Sequence, residues 1–345
     1  MKLKITGLFL FIITIVLVAT LTGCSYSCGN HEYVDGNCKH CHVTDTRCFD
    51  FTLLNDGTYS ISVNKFYTYN IPSEVKIPES YEGKPITQVK TMGFTKCQGI
   101  TKIVMPDSIT LLDSHAFSSC TSLKEIKLSK NITYIGSGAF YNCTSLESVT
   151  IPKSVESIGI VAFENCTSIT SIKIPDSVTG LGDGALKGCT NLKSVVLGDG
   201  ITSISIYTFQ NCSSLESVKF GKNISEIKTA AFAGCSSLER MVIPETVTSI
   251  ENAVFLDCTS LKSITLPNNI RFIEKNTFNG CSALESIVIP KSVQMIGENA
   301  FKNCQKLNNV YFEGSKDEWQ KLLIWSSDIG LNKGAVIHYN YVLRK

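Results

Sequence analysis

The 345-residue sequence predicts a repeat solenoid with a 23-residue period, with parallel β-strands on its concave face and irregular, short 3-10 or β segments on its convex face. Two observations predict it. Ten cysteines, Cys97, Cys120, Cys143, Cys166, Cys189, Cys212, Cys235, Cys258, Cys281 and Cys304, recur at one unvarying interval of 23 residues. Around them returns one apolar frame, with phenylalanine three residues before the cysteine, leucine or isoleucine three after it, and mostly isoleucine or valine at six. One structural unit has been copied ten times. Stacking accounts for the framework residues, so function is to be sought in the non-repeating ends and in the variable exposed positions.

One copy runs Cys143-x-x-Leu146-x-x-Val149-x-Ile151-Pro152-x-Ser154-Val155-x-x-Ile158-Gly159-x-x-Ala162-Phe163 and closes at Cys166. This is a leucine-rich repeat. Leu146 to Ile151 alternates as a half-buried strand does, and Pro152 removes the next backbone donor, which ends the strand. Pro106, Pro175, Pro244, Pro267 and Pro290 hold the same place. Two positions on stands a small polar residue (Ser108, Asn131, Ser154, Ser177, Asn223, Ser292), expected to bond its own turning backbone at the corner of the coil. Val155, Ile158, Ala162 and Phe163 then point inward, with Phe as the main filler and Leu186 as its one exception. Coils about 4.8 Å apart make a slab on the order of 50 Å long.

The cysteine column is expected to hold buried free thiols. Equivalent side chains in neighbouring coils run parallel at about 4.8 Å, whereas a disulfide needs Cβ atoms near 3.8 Å. A thiol acts here as a compact hydrophobe whose S–H can meet a loop carbonyl.

At the ends the repeat gives way to other signals. Phe51 to Val63 reads as a hairpin turning at Asp56-Gly57, and Tyr81 to Lys84 as a bulged loop in an irregular first coil. Ser315 and Glu318 form a capping-box signature for a short helix carrying Trp319, Leu322 and Leu323, and residues 335–339 read as a last strand. The expected organisation is a leader over 1–23, a Cys/His-rich module and linker over 24–49, an N-terminal β cap and first repeat over 50–96, the solenoid over 97–312 and a C-terminal cap over 313–345.

Frame and interval resemble the BspA-like leucine-rich repeat family of bacterial surface proteins, over roughly Cys97 to Phe312. Asp56-Gly57-Thr58-Tyr59, Val75-Lys76-Ile77-Pro78 and Tyr311-Phe312-Glu313-Gly314-Ser315 extend the likeness. The resemblance implies a surface antigen, adhesin or host-protein binder. It carries no catalytic residue, and the chain is not expected to be an enzyme.

Lys2 and Lys4 precede an apolar run from Leu8 to Leu21, the length of a signal-peptide core. Leu21-Thr22-Gly23-Cys24 then resembles a bacterial lipobox, in which Cys24 takes a diacylglycerol and anchors the chain to the outer face of a membrane. An ordinary cleaved leader or a retained anchor are the other readings. Downstream, Cys28-x-x-His31 and Cys38-x-x-Cys41 have metal-ligand spacing and could set four ligands around a structural Zn²⁺, with Asp35-Gly36 as the turn between them. Two disulfides among Cys28, Cys38, Cys41 and Cys48 are the alternative in an exported protein. No cofactor is required beyond this possible zinc.

The first place to look for binding is the exposed strand positions, with Lys127, Lys173, Lys219, Arg240 and Tyr311 as the leading residues. The net charge of +2, with Lys and Glu interspersed, gives no footprint for nucleic acid. Gly182-x-x-Ala185 mimics part of a dinucleotide fingerprint, yet it is the repeat's own Gly-x-x-Ala step. The expected function is thus a lipid-anchored cell-surface module that binds an extracellular or host protein or glycan. A structural spacer or antigen without a specific ligand, and a metal-handling N-terminal module, are the alternatives.

Overall fold

The computed structural model describes residues 33–34, 37–38, 44–68, 71–324, 329–332 and 334–342. They build a β-solenoid of about 12 turns, in which each turn has three sides. The first side is a strand such as Glu125–Lys127, Ser171–Lys173 or Arg240–Val242, paired parallel with residues one period away, as in Glu125 with Lys102 and Ile172 with Val195. The second is a two-residue strand such as Leu111–Leu112, Tyr134–Ile135 or Ser157–Ile158, again parallel and in register. The third is a run of turns around Ala-Phe-x-x-Cys. It too is bonded coil to coil, Phe117 N donating to Ala139 O at 2.8 Å and Ser119 N to Tyr141 O at 2.7 Å. Among the described residues 3-10 geometry is confined to Thr46–Cys48, so the non-strand side consists of turns.

The strand expected from Leu146 to Ile151 shortens to Ser148–Val149, because Leu146 N still bonds Cys143 O at 3.1 Å within the preceding turn. A second correction concerns the corner residue. Ser154 Oγ donates to Ile132 O at 2.7 Å, Ser177 Oγ to Val155 O at 2.7 Å and Ser292 Oγ to Ile270 O at 2.8 Å. Each of these carbonyls lies in the coil before, so the hydroxyl ties coils together and does not close its own turn. Ser108 Oγ, next to the irregular first coil, is buried without a partner.

The core is a continuous apolar column. Phe94, Phe117, Phe140 and Phe163 stack at centroid distances of 5.1, 5.6 and 5.2 Å. Phe209, Phe232, Phe255, Phe278 and Phe301 resume the stack beyond Leu186 at 5.2 to 5.7 Å. Thr208 and Thr277 stand where most other coils have alanine before the filler residue. Both are buried, and both satisfy their hydroxyl locally, on Ser205 O and Glu274 O at 2.7 Å.

The turn side carries a feature invisible to the apolar frame. Each coil holds two left-handed residues four apart, as in His115 and Ser119 (φ 56° and 60°) or Val161 and Asn165 (φ 49° and 59°). The alternation of left- and right-handed residues reverses the chain twice and presents Phe and Cys inward.

Both ends are closed. Phe49–Leu53 and Tyr59–Val63 form the expected antiparallel hairpin, with Asp56 Oδ1 accepting from Thr58 N at 2.9 Å and Gly57 at φ 82°. The loop expected at Tyr81 to Lys84 is a tight hairpin joining Ser80–Tyr81 to Lys84–Val89, and Tyr81 stacks on Phe51 at 4.0 Å. At the other end, Ser315 and Glu318 complete a capping box on the helix Lys316–Gln320, whose Trp319 meets Phe312 edge-on at 5.3 Å. The helix ends at Gln320, short of Leu322, and Leu323 is not on it as expected. Leu323 lies in the strand Leu323–Ile324, which pairs parallel with Met295–Ile296, because the second sheet offers a further register position there. Val336–His338 forms the last strand, parallel to Asn309–Phe312.

Candidate binding face and thiol ladder

Side chains alternate across the longer strands, one inward and two outward. In Ser171–Lys173 the inward residue is Ile172 and the outward pair is Ser171 and Lys173, a pattern repeated in Glu125–Lys127. Lys127, Lys173 and Lys219 therefore share one exposed column, and Arg240 stands exposed in the neighbouring one. Lys173 and Lys219 both flank Val196 in the ladder, which puts them two coils apart. None of these four cations forms an ion pair among the described residues. Asp107 and Asp199, whose charge Lys127 and Lys219 feel, are engaged by Lys130 at 2.7 Å and Lys222 at 2.8 Å. Of the two carboxylates in the outward columns, Glu125 is paired with Lys102 at 2.9 Å, and Glu74 lies beside Lys102 in the first strand. Beside Lys173 lies an open groove of about 1020 Å³ lined by Ser148, Thr150, Ser171, Ser194, Val196 and their neighbours.

Tyr311 is placed differently. It is half-buried, stacked against His338 at 4.7 Å and tilted against Tyr341 at 4.6 Å, and His338 Nε2 lies 2.9 Å from Asn309 Oδ1. No motif marks this cluster in advance, because His338 and Tyr341 stand outside the repeat and nothing in their spacing ties them to Tyr311. His115 lies on the turn side beside Tyr141, so the two histidines face different sides of the coil.

Behind the strands runs the thiol ladder. Cys120 Sγ donates to Phe94 O at 3.0 Å, Cys166 to Phe140 O at 3.1 Å, Cys212 to Leu186 O at 3.1 Å and Cys304 to Phe278 O at 3.0 Å. Every ladder cysteine from Cys120 onward reaches back in this way to the carbonyl of the preceding coil's filler residue. Cys97 has no regular coil before it and reaches only Thr95 O at 4.0 Å. All ten thiols are free and buried. Burial pushes Cys97, Cys143, Cys189, Cys258 and Cys304 up to about 12, and raises Cys120, Cys166, Cys212, Cys235 and Cys281 well above the ordinary thiol value. Such thiols are poor nucleophiles.

Of the N-terminal residues, Cys24, Cys28, His31 and Cys41 lie outside the described residues, whereas Cys38 belongs to the strand Asn37–Cys38, paired antiparallel with Tyr33–Val34. Cys48 is buried in the cap with a free thiol, raised to about 11 by burial. The Gly182 step is a packing feature: a Cβ there would lie 2.4 Å from Ile160 N of the preceding coil.

A parallel solenoid of 23-residue coils with inward Leu, Ile, Phe and Cys defines a leucine-rich-repeat protein. Its sequence matches the BspA type leucine rich repeat region over residues 42–166, 133–259 and 225–327, and the chain belongs to that family. Among solved structures it is similar to a leucine-rich repeat protein of T. pallidum, with 28% identity and a TM-score of 0.53 over 57% of this chain and 90% of the other. A leucine-rich repeat protein from Bacteroides ovatus gives 22% identity and a TM-score of 0.53 over 84% and 98%. A leucine-rich cell surface protein from Faecalibacterium prausnitzii gives 23% and 0.48 over 89% and 100%. No curated protein matches the chain. No helix among the described residues is long and apolar enough to cross a membrane.

Proposed function

We propose that this chain is a bacterial surface lipoprotein, anchored through Cys24, whose longer-strand face binds an extracellular protein or glycan. The observation that carries the reading is the division of labour within the coil. The inward residues, most corner hydroxyls and the thiols are consumed by coil-to-coil contacts, while Lys127, Lys173, Lys219, Arg240 and the serines of the outward strand columns have no ion pair or side-chain hydrogen bond among the described residues. The lipobox-like Leu21-Thr22-Gly23-Cys24 behind an apolar leader supports an anchored, exported chain.

Two measurements test it. Cells fed an alkyne fatty acid should label the protein, and Cys24→Ala should abolish the label and release the chain to the medium. The purified protein, applied to arrays of matrix proteins and glycans, should bind saturably, and substitutions on the strand face should weaken that binding more than matched substitutions on the turn side. Uniformly absent binding leaves a spacer or antigen as the function.

For the N-terminal module a structural zinc held by Cys28, His31, Cys38 and Cys41 is favoured by the state of Cys48. With that thiol buried and free, three of the four cysteines weighed for two disulfides remain, an odd set, whereas the zinc ligand set does not use Cys48. Metal analysis of the purified protein should find one equivalent of zinc, lost in Cys38→Ser. Protein without metal, with Cys48 oxidised, would reverse the assignment.

A further inference from the structure

Resting on the reading of the strand face as a binding surface, we infer that its ligand is a linear acidic polysaccharide laid across the strands, presenting a carboxylate or sulfate over every second coil. Lys127, Lys173 and Lys219 occupy one column with a single small residue between successive members, Thr150 and Val196. Adjacent strands lie about 4.8 Å apart, so the three ammonium groups recur at an interval of about 10 Å. A glycan carrying one acid per disaccharide repeats its charge at a similar interval, and a rigid periodic solenoid reads a periodic polymer in register. Small residues between the lysines let such a chain lie low on the sheet.

The charge around this column is one-sided where the glycan would lie. Its own outward columns hold Lys76, Lys102, Lys127, Lys173, Lys219 and Arg240 against Glu74 and Glu125; Glu125 is spent on Lys102, and Glu74 lies beside Lys102 at the N-terminal end, away from Lys173 and Lys219. The acids on the borders are largely engaged: Asp107 by Lys130, Asp199 by Lys222, Glu239 by Lys262, and Asp176 by the backbone N of Asp199 at 3.0 Å. Glu147 and Glu216 stand exposed on the other border and set its width.

Three features favour a sugar over an acidic peptide. Alongside the lysines runs a column of Ser148, Ser171, Ser194 and Ser217, whose hydroxyls make no side-chain hydrogen bond among the described residues and can both donate to and accept from sugar hydroxyls. The groove beside Lys173 mixes the hydroxyls of Ser148, Thr150 and Ser171 with Pro152, Pro175 and Val196, a wall that suits both the hydroxyls and the apolar face of a sugar ring. Ser194–Val196 is paired to both neighbours, and the unpaired sides of Ser171–Lys173 and Ser217–Lys219 are covered by the adjacent coils, so no free edge is offered to a peptide backbone.

The test titrates the full chain with hyaluronan oligosaccharides, which carry one carboxylate per disaccharide, and in parallel with neutral dextran and poly-glutamate. Hyaluronan should bind saturably, dextran should not, and poly-glutamate should bind more weakly. The triple variant Lys127→Gln, Lys173→Gln, Lys219→Gln should lose about tenfold or more, and its residual affinity should depend less on salt than the parent's. The triple Lys→Arg variant should keep the parental affinity, and its thermal midpoint together with that of the Gln variant should match the parent, since all three side chains are exposed. Lys96→Gln, Lys275→Gln, Lys302→Gln on the turn side removes equal charge and should leave binding intact. Equal loss in that control, poly-glutamate binding as tightly as hyaluronan, or no hyaluronan binding overturns the inference. If hyaluronan fails while a matrix protein or neutral glycan binds the strand face, the binding function stands without this ligand; if nothing binds, both fall.

Discussion

A ladder cysteine does two jobs that no single replacement reproduces: it fills a methyl-sized space, and it donates to the carbonyl of the coil before it. Cys166→Ala removes both, leaving a sulfur-sized void and depriving Phe140 O of one of its two donors while Cys143 N remains at 3.0 Å, at a cost of about 1–2 kcal/mol. Cys97→Ala removes a thiol with no close acceptor and should cost clearly less, because the sulfur is 4.0 Å from Thr95 O. Chemical denaturation of the two variants checks the difference; equal losses would mean that the S–H···O contact contributes nothing. A second residue-scale prediction concerns backbone conformation. Val161 holds φ 49°, a region that β-branched residues resist, whereas Asn276 and Asn299 occupy the same column at 58° and 55°. Val161→Asn should stabilise the solenoid by about 1 kcal/mol, read as a rise in the denaturation midpoint at unchanged slope. The cysteine interval was plain in the sequence, but the acceptor of each thiol was not, since it lies 26 residues back and depends on how coils stack. The same holds for the corner serines: Ser154 shows that it is a turn residue, and only the stacked structure shows that its hydroxyl crosses to Ile132 O.

At the scale of elements, the ends were legible wherever a local rule dictates geometry. Asp56-Gly57 specifies a hairpin because Gly57 takes φ 82° without a Cβ to clash, and Ser315 with Glu318 specifies a helix start because each caps the other's backbone donor. Leu323 was misplaced on that helix because its apolar spacing suits a helix face as well as a strand, and pairing with Met295 decided between them. The exposed face was readable as two columns. Its freedom from internal partners was not, because ion pairs such as Asp107 with Lys130 follow from coil-to-coil distance and not from spacing within one coil. The capping box carries a prediction of its own. Ser315→Ala removes the acceptor for Glu318 N while keeping the backbone N–H that donates to Glu318 Oε2, and should cost about 1 kcal/mol. Amide exchange should report the loss as faster opening over residues 316–322, with protection of the Phe140 coil unchanged.

For the whole molecule, identical coils convert a modest property of one thiol into a collective dependence on pH. The folded state holds the ladder thiols far above their ordinary value of 9.0, with five of them at about 12, because burial disfavours the thiolate. Below pH 9 a thiol is neutral both folded and unfolded and contributes no pH dependence. Between pH 9 and about 12 the unfolded chain releases its thiol protons while the folded chain keeps them, so each thiol withdraws roughly 1 kcal/mol of stability per pH unit. Acting together, the ladder should make stability flat in pH through the neutral range and fall steeply above pH 9, more steeply than tyrosine or lysine titration alone would produce. Neighbouring coils share interfaces, so the loss should appear as one cooperative alkaline transition and not as coil-by-coil fraying. Denaturant midpoints taken from pH 7 to 11, with thiol reactivity followed in parallel, measure this directly. The thiols should resist a maleimide until the transition and then react as one population. Replacing three central cysteines by alanine should lower stability at pH 7 and yet flatten the alkaline slope. An unchanged slope in that variant would mean that other groups drive the alkaline unfolding.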